Sequence, residues 1–413
     1  MEDRPSRPCL AVVVVLAILS ACAPGTFAGG GDPSAGAIWR VDLRPKGYIE
    51  NIGRRPRFAS DTRISFISDD LLIASFWTET TPDGCTWKEK SPPDACRLHA
   101  VEVEVGTGRI RSTHEWSFPF REGFIYPTGR GSFVLSGENE LDLYSSNFEE
   151  LKKVSLPSAE PGLPTLFVNV SPSGKTLLAD WTSSSMPPQP VGSKRARTAQ
   201  RQIPHQMNAI FETADMKELR RWDERFFAQS ISDNLLVAST GFDFFFLSRP
   251  EFLISRFDER GWQDLNVTGH WFLTTVKLLD DQHVVVQERN RVAVLNTNGV
   301  SLFEDTNFRK RHYLSGNPVT SADGLRFAAA VWVDSPHPFW VSPVGIQTEL
   351  LVYDVPHHGR IYSRPLDAAT HVGKLWVFHD FALSLDGALL AHTADGFVEL
   401  YRLPSNKSVD PTP

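Results

Sequence analysis

Along most of the chain, apolar and polar positions alternate with a period of two, in short runs separated by turn residues about every 8 to 12 positions. His99-Ala100-Val101-Glu102-Val103-Glu104, Glu140-Leu141-Asp142-Leu143-Tyr144 and Val292-Ala293-Val294-Leu295 are examples. Such alternation sends successive side chains to opposite faces of a strand, so the runs predict antiparallel sheet rather than helix.

Two signals recur in a fixed order. The first is a turn followed by an apolar strand, as in Ser68-Asp69-Asp70-Leu71-Leu72, Ser171-Pro172-Ser173-Gly174, Ser232-Asp233-Asn234-Leu235, Asp280-Asp281-Gln282-His283, Ser321-Ala322-Asp323-Gly324 and Ser384-Leu385-Asp386-Gly387. Ser and Asp side chains bond nearby backbone N–H groups, and Gly accepts positive φ, so these stretches join antiparallel neighbours. The second signal is an alternating strand, a polar turn and another strand, as in Leu350-Leu351-Val352-Tyr353-Asp354 before Pro356-His357-His358-Gly359.

One copy of each signal builds a four-stranded unit, and the units begin near Arg63, Gly123, Pro164, Phe226, His270, His312 and Leu375. The second is the faintest, because Gly129-Arg130-Gly131-Ser132 only approximates the turn. The last unit lacks a fourth strand, and the alternating segment 37–43 near the N-terminus can supply it. The expected fold is therefore all-β: about seven four-stranded antiparallel blades forming a β-propeller over residues 37–405, closed by an N-terminal strand. Two smaller β domains joined at residues 186–190 are the alternative arrangement.

This arrangement resembles the bacterial WD-repeat-like and YVTN-type propellers, in which a Ser-x-Asp-Gly turn and a strand ending near Tyr-Asp recur once per blade. The Gly-His and Trp-Asp dipeptides of WD repeats do not recur from blade to blade, and Trp222-Asp223 falls in the wrong strand. The resemblance implies a fold and leaves the activity open.

The N-terminus reads as an export signal: Arg4 and Arg7 precede an apolar run at 10–19 that is too short to span a bilayer. Leu19-Ser20-Ala21-Cys22 resembles the bacterial lipobox, which makes residues 1–21 a lipoprotein-type signal peptide, Cys22 the lipidated residue and 22–36 a flexible tether. Ordinary cleavage after Thr26-Phe27-Ala28 is the alternative. Residues 406–413 form a polar tail. The expected address is the bacterial cell envelope, lipid-anchored or periplasmic, with membrane contact only through the lipid anchor.

Of the 413 residues, 41% are hydrophobic and 22% charged, a composition that supports a large folded body. A net charge of −7 argues against a nucleic-acid partner, since phosphate binding calls for a basic excess. Once Cys9 and Cys22 are assigned to the signal, Cys85 and Cys96 remain, flanking a Pro-rich charged loop. They are expected to pair in an oxidising compartment, adding about 2 to 3 kcal/mol by restricting the unfolded chain. Two unpaired thiols are the alternative.

Three blades carry extra residues between their second and third strands, at about 80–96, 183–204 and 334–347. In a propeller those connections share one face, so Trp87, Lys88, Lys194, Arg195, Arg197, Arg201, His337, Phe339 and Trp340 form the candidate binding face. Solvated loop decoration is the ordinary alternative.

Apparent catalytic motifs fail on inspection. Gly174-Lys175-Thr176 lacks the first glycine of a phosphate loop and is followed by a strand. Thr81-Pro82-Asp83-Gly84-Cys85 is one residue short of a sialidase Asp-box, and Phe118 stands where His114-Glu115 would need a second zinc-binding His. His357, His358, His371 and His379 read as surface or satisfied residues. No metal and no cofactor are expected. The function read from the chain is a binding or scaffold module for a protein, peptide or glycan partner. The alternative is a propeller hydrolase or lactonase with a metal or carboxylate site at the central channel, drawn from several blades and therefore silent in sequence.

Overall fold

A strand buried on both faces reads as a continuous apolar run, whereas one with a wet face alternates. The runs behind each turn, such as Leu71-Leu72-Ile73-Ala74, are of the first kind and form the second strand of each blade. The computed structural model describes residues 36–48, 62–79, 96–118, 123–137, 140–157, 167–183, 205–222, 227–240, 251–258, 261–268, 274–308, 312–334, 344–366, 372–374, 380–394 and 396–405.

From the axis outward, blade 1 comprises Arg63–Phe66, Leu71–Glu79, Cys96–Glu104 and Ile110–Phe118. Blade 2 comprises Phe124–Pro127, Ser132–Ser136, Glu140–Ser145 and Glu150–Ser155. Blade 3 comprises Phe167–Val170, Thr176–Ser183, His205–Glu212 and Lys217–Trp222. Blade 4 comprises Phe227–Ile231, Leu235–Thr240, Glu251–Arg256 and Gln263–Thr268. Blade 5 comprises Thr275–Leu278, His283–Glu288, Arg291–Asn296 and Ser301–Asp305. Blade 6 comprises His312–Thr320, Arg326–Asp334, Val344–Asp354 and Gly359–Pro365, with Val372–Lys374 added beside the start of the third strand. Blade 7 takes Phe381–Leu383, Leu389–Ala394 and Phe397–Arg402, and its outer strand is Ala37–Asp42 from the N-terminal end.

Each inner strand packs on the next, and blade 7 packs back on blade 1, so the seven sheets form a closed ring. The protein is an all-β, seven-bladed propeller. Among the described residues, no helix is long and apolar enough to cross a membrane.

The core is divided among the seven seams between neighbouring blades. Leu72, Ala74 and Phe76 of blade 1 meet Ala391, Val398 and Leu400 of blade 7, while Leu71, Ile73 and Trp77 on the opposite face meet Phe133 and Tyr144 of blade 2. The pattern repeats around the ring, down to the small seam where Leu178 and Ile210 meet Ala228, Ile231 and Leu236. Outer strands have no such duty. Glu150–Ser155 and Lys217–Trp222 are therefore largely exposed and rich in lysine, arginine and glutamate, which guards open sheet edges against further pairing.

Closure rests on the N-terminal strand. Trp39 lies opposite Leu400 and Val41 opposite Val398, and the Leu43 N–H donates to the Gly396 carbonyl at 2.7 Å. The Trp39 indole N–H donates to the Val105 carbonyl of blade 1 at 2.6 Å, tying the closing strand across the last seam.

At the opposite end of each blade from the second-to-third connections, the first-to-second turns lock both themselves and their neighbours, with the Ser-x-Asp-Gly form in blades 6 and 7. The Ser384 hydroxyl donates to the Asp386 carboxylate at 2.7 Å and accepts from the Leu389 N–H at 2.8 Å; Ser321 and Asp323 repeat the arrangement. The fourth-position glycines hold positive φ, +73° at Gly174, and there the turn backbone of blade 3 presses against the Thr128 carbonyl of blade 2. A methyl group on Gly174 would lie 1.5 Å from that oxygen, whereas one on Gly131, also at φ +73°, meets open space. Gly131→Ala is accordingly expected to cost about 1 kcal/mol from backbone strain alone, and Gly174→Ala about 3 kcal/mol or more, as read by chemical denaturation of each variant.

Candidate functional site

The antiparallel order of each blade dictates which loops cluster. With every first-to-second turn at one end of the ring, every second-to-third connection leaves from the other. The strand ends Glu79 and Cys96 in blade 1, Ser183 and His205 in blade 3, and Asp334 and Val344 in blade 6 flank the three long connections. Thr240 and Glu251 flank a fourth in blade 4, which the sequence pattern did not single out. Trp87, Lys88, Lys194, Arg195, Arg197, Arg201, His337, Phe339 and Trp340 lie outside the described residues, as do Cys22 and Cys85. Cys96 heads the third strand of blade 1, fully buried between Glu79 and Phe118.

Inside the ring, the inner strands divide their side chains. Ile64, Phe66, Ile125, Val168, Val276 and Leu278 are sealed into seam cores. The residues that alternate with them, Arg63, Ser65, Tyr126, Asn169, Thr275 and Lys277, are half-buried and mostly polar. The Arg63 guanidinium lies 3.7 Å from the Phe124 ring centroid, over its face. The Lys277 ammonium donates to the Pro318 carbonyl of blade 6 at 2.8 Å, where a bulge between Ser315 and Val319 offsets the ladder. Burial brings this amine down to about 8.

Carboxylates gather elsewhere. Asp380 precedes the inner strand of blade 7, at the end from which the long connections leave. Its Oδ1 is shut off from solvent, and burial pushes its carboxyl up to about 7, offset in part by the neighbouring Gln347 side chain of blade 6. Glu399 is only 3% exposed and is held by Arg40 at 3.4 Å, by Arg364 at 3.8 Å and by the Tyr401 hydroxyl. Asp354, which ends the third strand of blade 6, pairs with Arg326 at 3.1 Å and with the His357 ring at 2.7 Å. Arg326 goes on to donate to the Gly387 carbonyl at 2.9 Å, so the Tyr353-Asp354 strand end is a clamp between blades 6 and 7. Among the described residues, no three His, Cys, Asp or Glu side chains are grouped to hold a metal ion. Trp222 sits on the outer strand of blade 3, opposite Asn208.

With this geometry in hand, the chain was compared with known proteins. No family profile matches it, and neither does any curated protein. Among solved structures it is similar to the C-terminal WD40 domain of Sif2, at 10% identity over 84% of this chain and 97% of that one, with a TM-score of 0.43. So distant a likeness concerns the fold alone. The blade count rests on this chain's own strand pairing.

Asp380 gives the site a measurable pH signature. Its carboxyl in the folded protein titrates well above the ordinary value of 3.8, so the unfolded chain ionises first as pH rises and stability falls across that interval. Relative to the native chain, Asp380→Asn should gain about 4 kcal/mol between roughly pH 4 and pH 7 and hold that gain above it. Denaturation curves at stepped pH would show the gain; a constant offset at every pH would refute the assigned burial.

Proposed function

We propose that this chain is an exported binding module of the bacterial cell envelope, tethered through lipidated Cys22 or free in the periplasm. Its working surface is the end of the ring that bears the long second-to-third connections, and its partner is a protein, peptide or glycan. The observation that carries this reading is topological: separate blades place their extra residues at one end, while the other end is consumed by turn-to-turn contacts. The aromatic and cationic residues at 87, 88, 194, 195, 197, 337, 339 and 340 supply the anchors that recognition surfaces favour. A Cys85–Cys96 disulfide pins the blade 1 connection to the strand it enters, and the tether at 22–36 leads into the closing strand.

Asp380 favours a second reading, a hydrolase. A carboxyl raised into the neutral range at the open end of an inner strand could serve as a general acid or base. It differs from Asp354 and Glu399, which arginines hold.

Photo-crosslinkers at Trp87, Arg195 and Trp340, compared with crosslinkers at the exposed turn residues Asp215 and Asn298 on the opposite end, distinguish the faces in cells. Adducts are expected from the first set alone; equal labelling from both sets would contradict the assigned surface. Cys22→Ser is expected to move the protein from the membrane to the soluble fraction of the envelope.

A further inference from the structure

The inner wall of the ring contains a charge arrangement that the fold does not explain. Arg63 and Lys277 stand on the inner strands of blades 1 and 5, and among the described residues neither forms an ion pair with a carboxylate. Several other buried or half-buried cations in the blades are matched by carboxylates: Arg326 with Asp354, Arg360 with Asp305, Arg291 with Glu288 and Glu304. A chain with a net charge of −7 has acids to spare, yet among the described residues none pairs with either cation. Withdrawing a cation from water without a counter-charge is costly, and the lowered amine of Lys277 records that cost.

The wall around them suits a polar ligand. Ser65, Tyr126, Asn169, Gln229 and Thr275 are half-buried and offer hydroxyl and amide groups. Phe124 backs the face of the Arg63 guanidinium, leaving the edge N–H groups for a planar acceptor. The two cations also lie at different depths. Arg63 begins its inner strand, toward the end of the long connections, and Lys277 is next to last in its own, toward the turns.

The turn end is pinched. A methyl group on Gly129 in the blade 2 turn would lie 3.5 Å from the Leu385 side chain in the blade 7 turn, so Leu385 reaches across in front of blade 1. The Gly131 N–H donates to the Ile67 carbonyl at 2.7 Å in the same place. A ligand therefore enters from the other end, which is the proposed working surface.

We propose that the axial channel is a binding site for an acidic peptide segment, with Arg63 taking a carboxylate near the mouth and Lys277 taking one deeper in. A peptide is favoured because the inner strand of each blade ladders with its second strand alone and leaves a sheet edge toward the axis, which an extended backbone can follow. This rests on the binding-module reading and adds the ligand's charge and point of entry.

The test is calorimetric titration of the full chain with acetylated tetraglutamate, with tetraglutamine and trigalacturonate as comparison probes. Tetraglutamate alone is expected to bind. Arg63→Gln and Lys277→Met should each weaken it about tenfold or more, while Lys152→Met on the outer strand of blade 2 should leave it unchanged. Arg63→Lys, which keeps the charge, should retain part of the affinity, and thermal unfolding of each variant confirms an intact ring. Indifference of the native chain to tetraglutamate, native affinity in Arg63→Gln, or preference for trigalacturonate would overturn the proposal. Crosslinking through Trp87, Arg195 or Trp340 without tetraglutamate binding would remove the channel site and leave the working surface standing.

Discussion

The pairing of Ala37–Asp42 with Phe397–Arg402 is the contact on which the remainder of the molecule depends. A ring of sheets has no natural beginning, and each blade buries its two faces only against neighbours on both sides. Without the closing strand, blade 7 would expose the edge of Phe397–Arg402, and the seam formed by Val41, Leu43, Phe66, Phe76 and Val398 would lose one wall. Because the strand comes from the opposite end of the chain, closure joins residues more than three hundred and fifty positions apart and makes the seven seams interdependent.

The two ends of the ring have different physical roles. At the turn end, Ser171 and Lys175 of blade 3 bond Asp233 of blade 4, and Ser232 of blade 4 bonds Asp281 of blade 5 at 2.5 Å. Gly174 and Gly324 permit the backbone approach that such contacts need. Side chains engaged in this way have little left to offer a partner. The other end carries the connections whose length varies from blade to blade, and variation without loss of the ring is what a recognition surface requires.

Much of this was legible because propeller strands write their burial into their spacing. The expected unit starts near Arg63, Gly123, Phe226 and His312 fall within a residue of the observed inner strands, and the faint second unit is a true blade whose Gly129 and Gly131 both hold positive φ. The starts expected near Pro164, His270 and Leu375 precede their strands by several residues, since apolar residues in the approach segments, Trp271-Phe272-Leu273 and Leu375-Trp376-Val377-Phe378 above all, read as part of the strand. The strand Val372–Lys374 went unseen because three residues are too few to show a period. Arg63, Lys277 and Asp380 were equally silent. Arg63 and Lys277 are single polar positions in ordinary alternating strands and Asp380 is one polar residue ahead of a short one; their significance comes from neighbours such as Phe124, Pro318 and Gln347, which only the closed ring brings near.

Amide hydrogen exchange under native conditions tests the closed ring most directly, by comparing Val41 and Leu400 at the closing strands with Val285 and Val294 in blade 5. If closure governs the whole molecule, the amides at both places exchange with the same free energy, that of global unfolding. If those of the closing strands exchange far faster while blade 5 stays protected, the N-terminal strand is an accessory, and the account of a ring held shut by that one pairing is wrong.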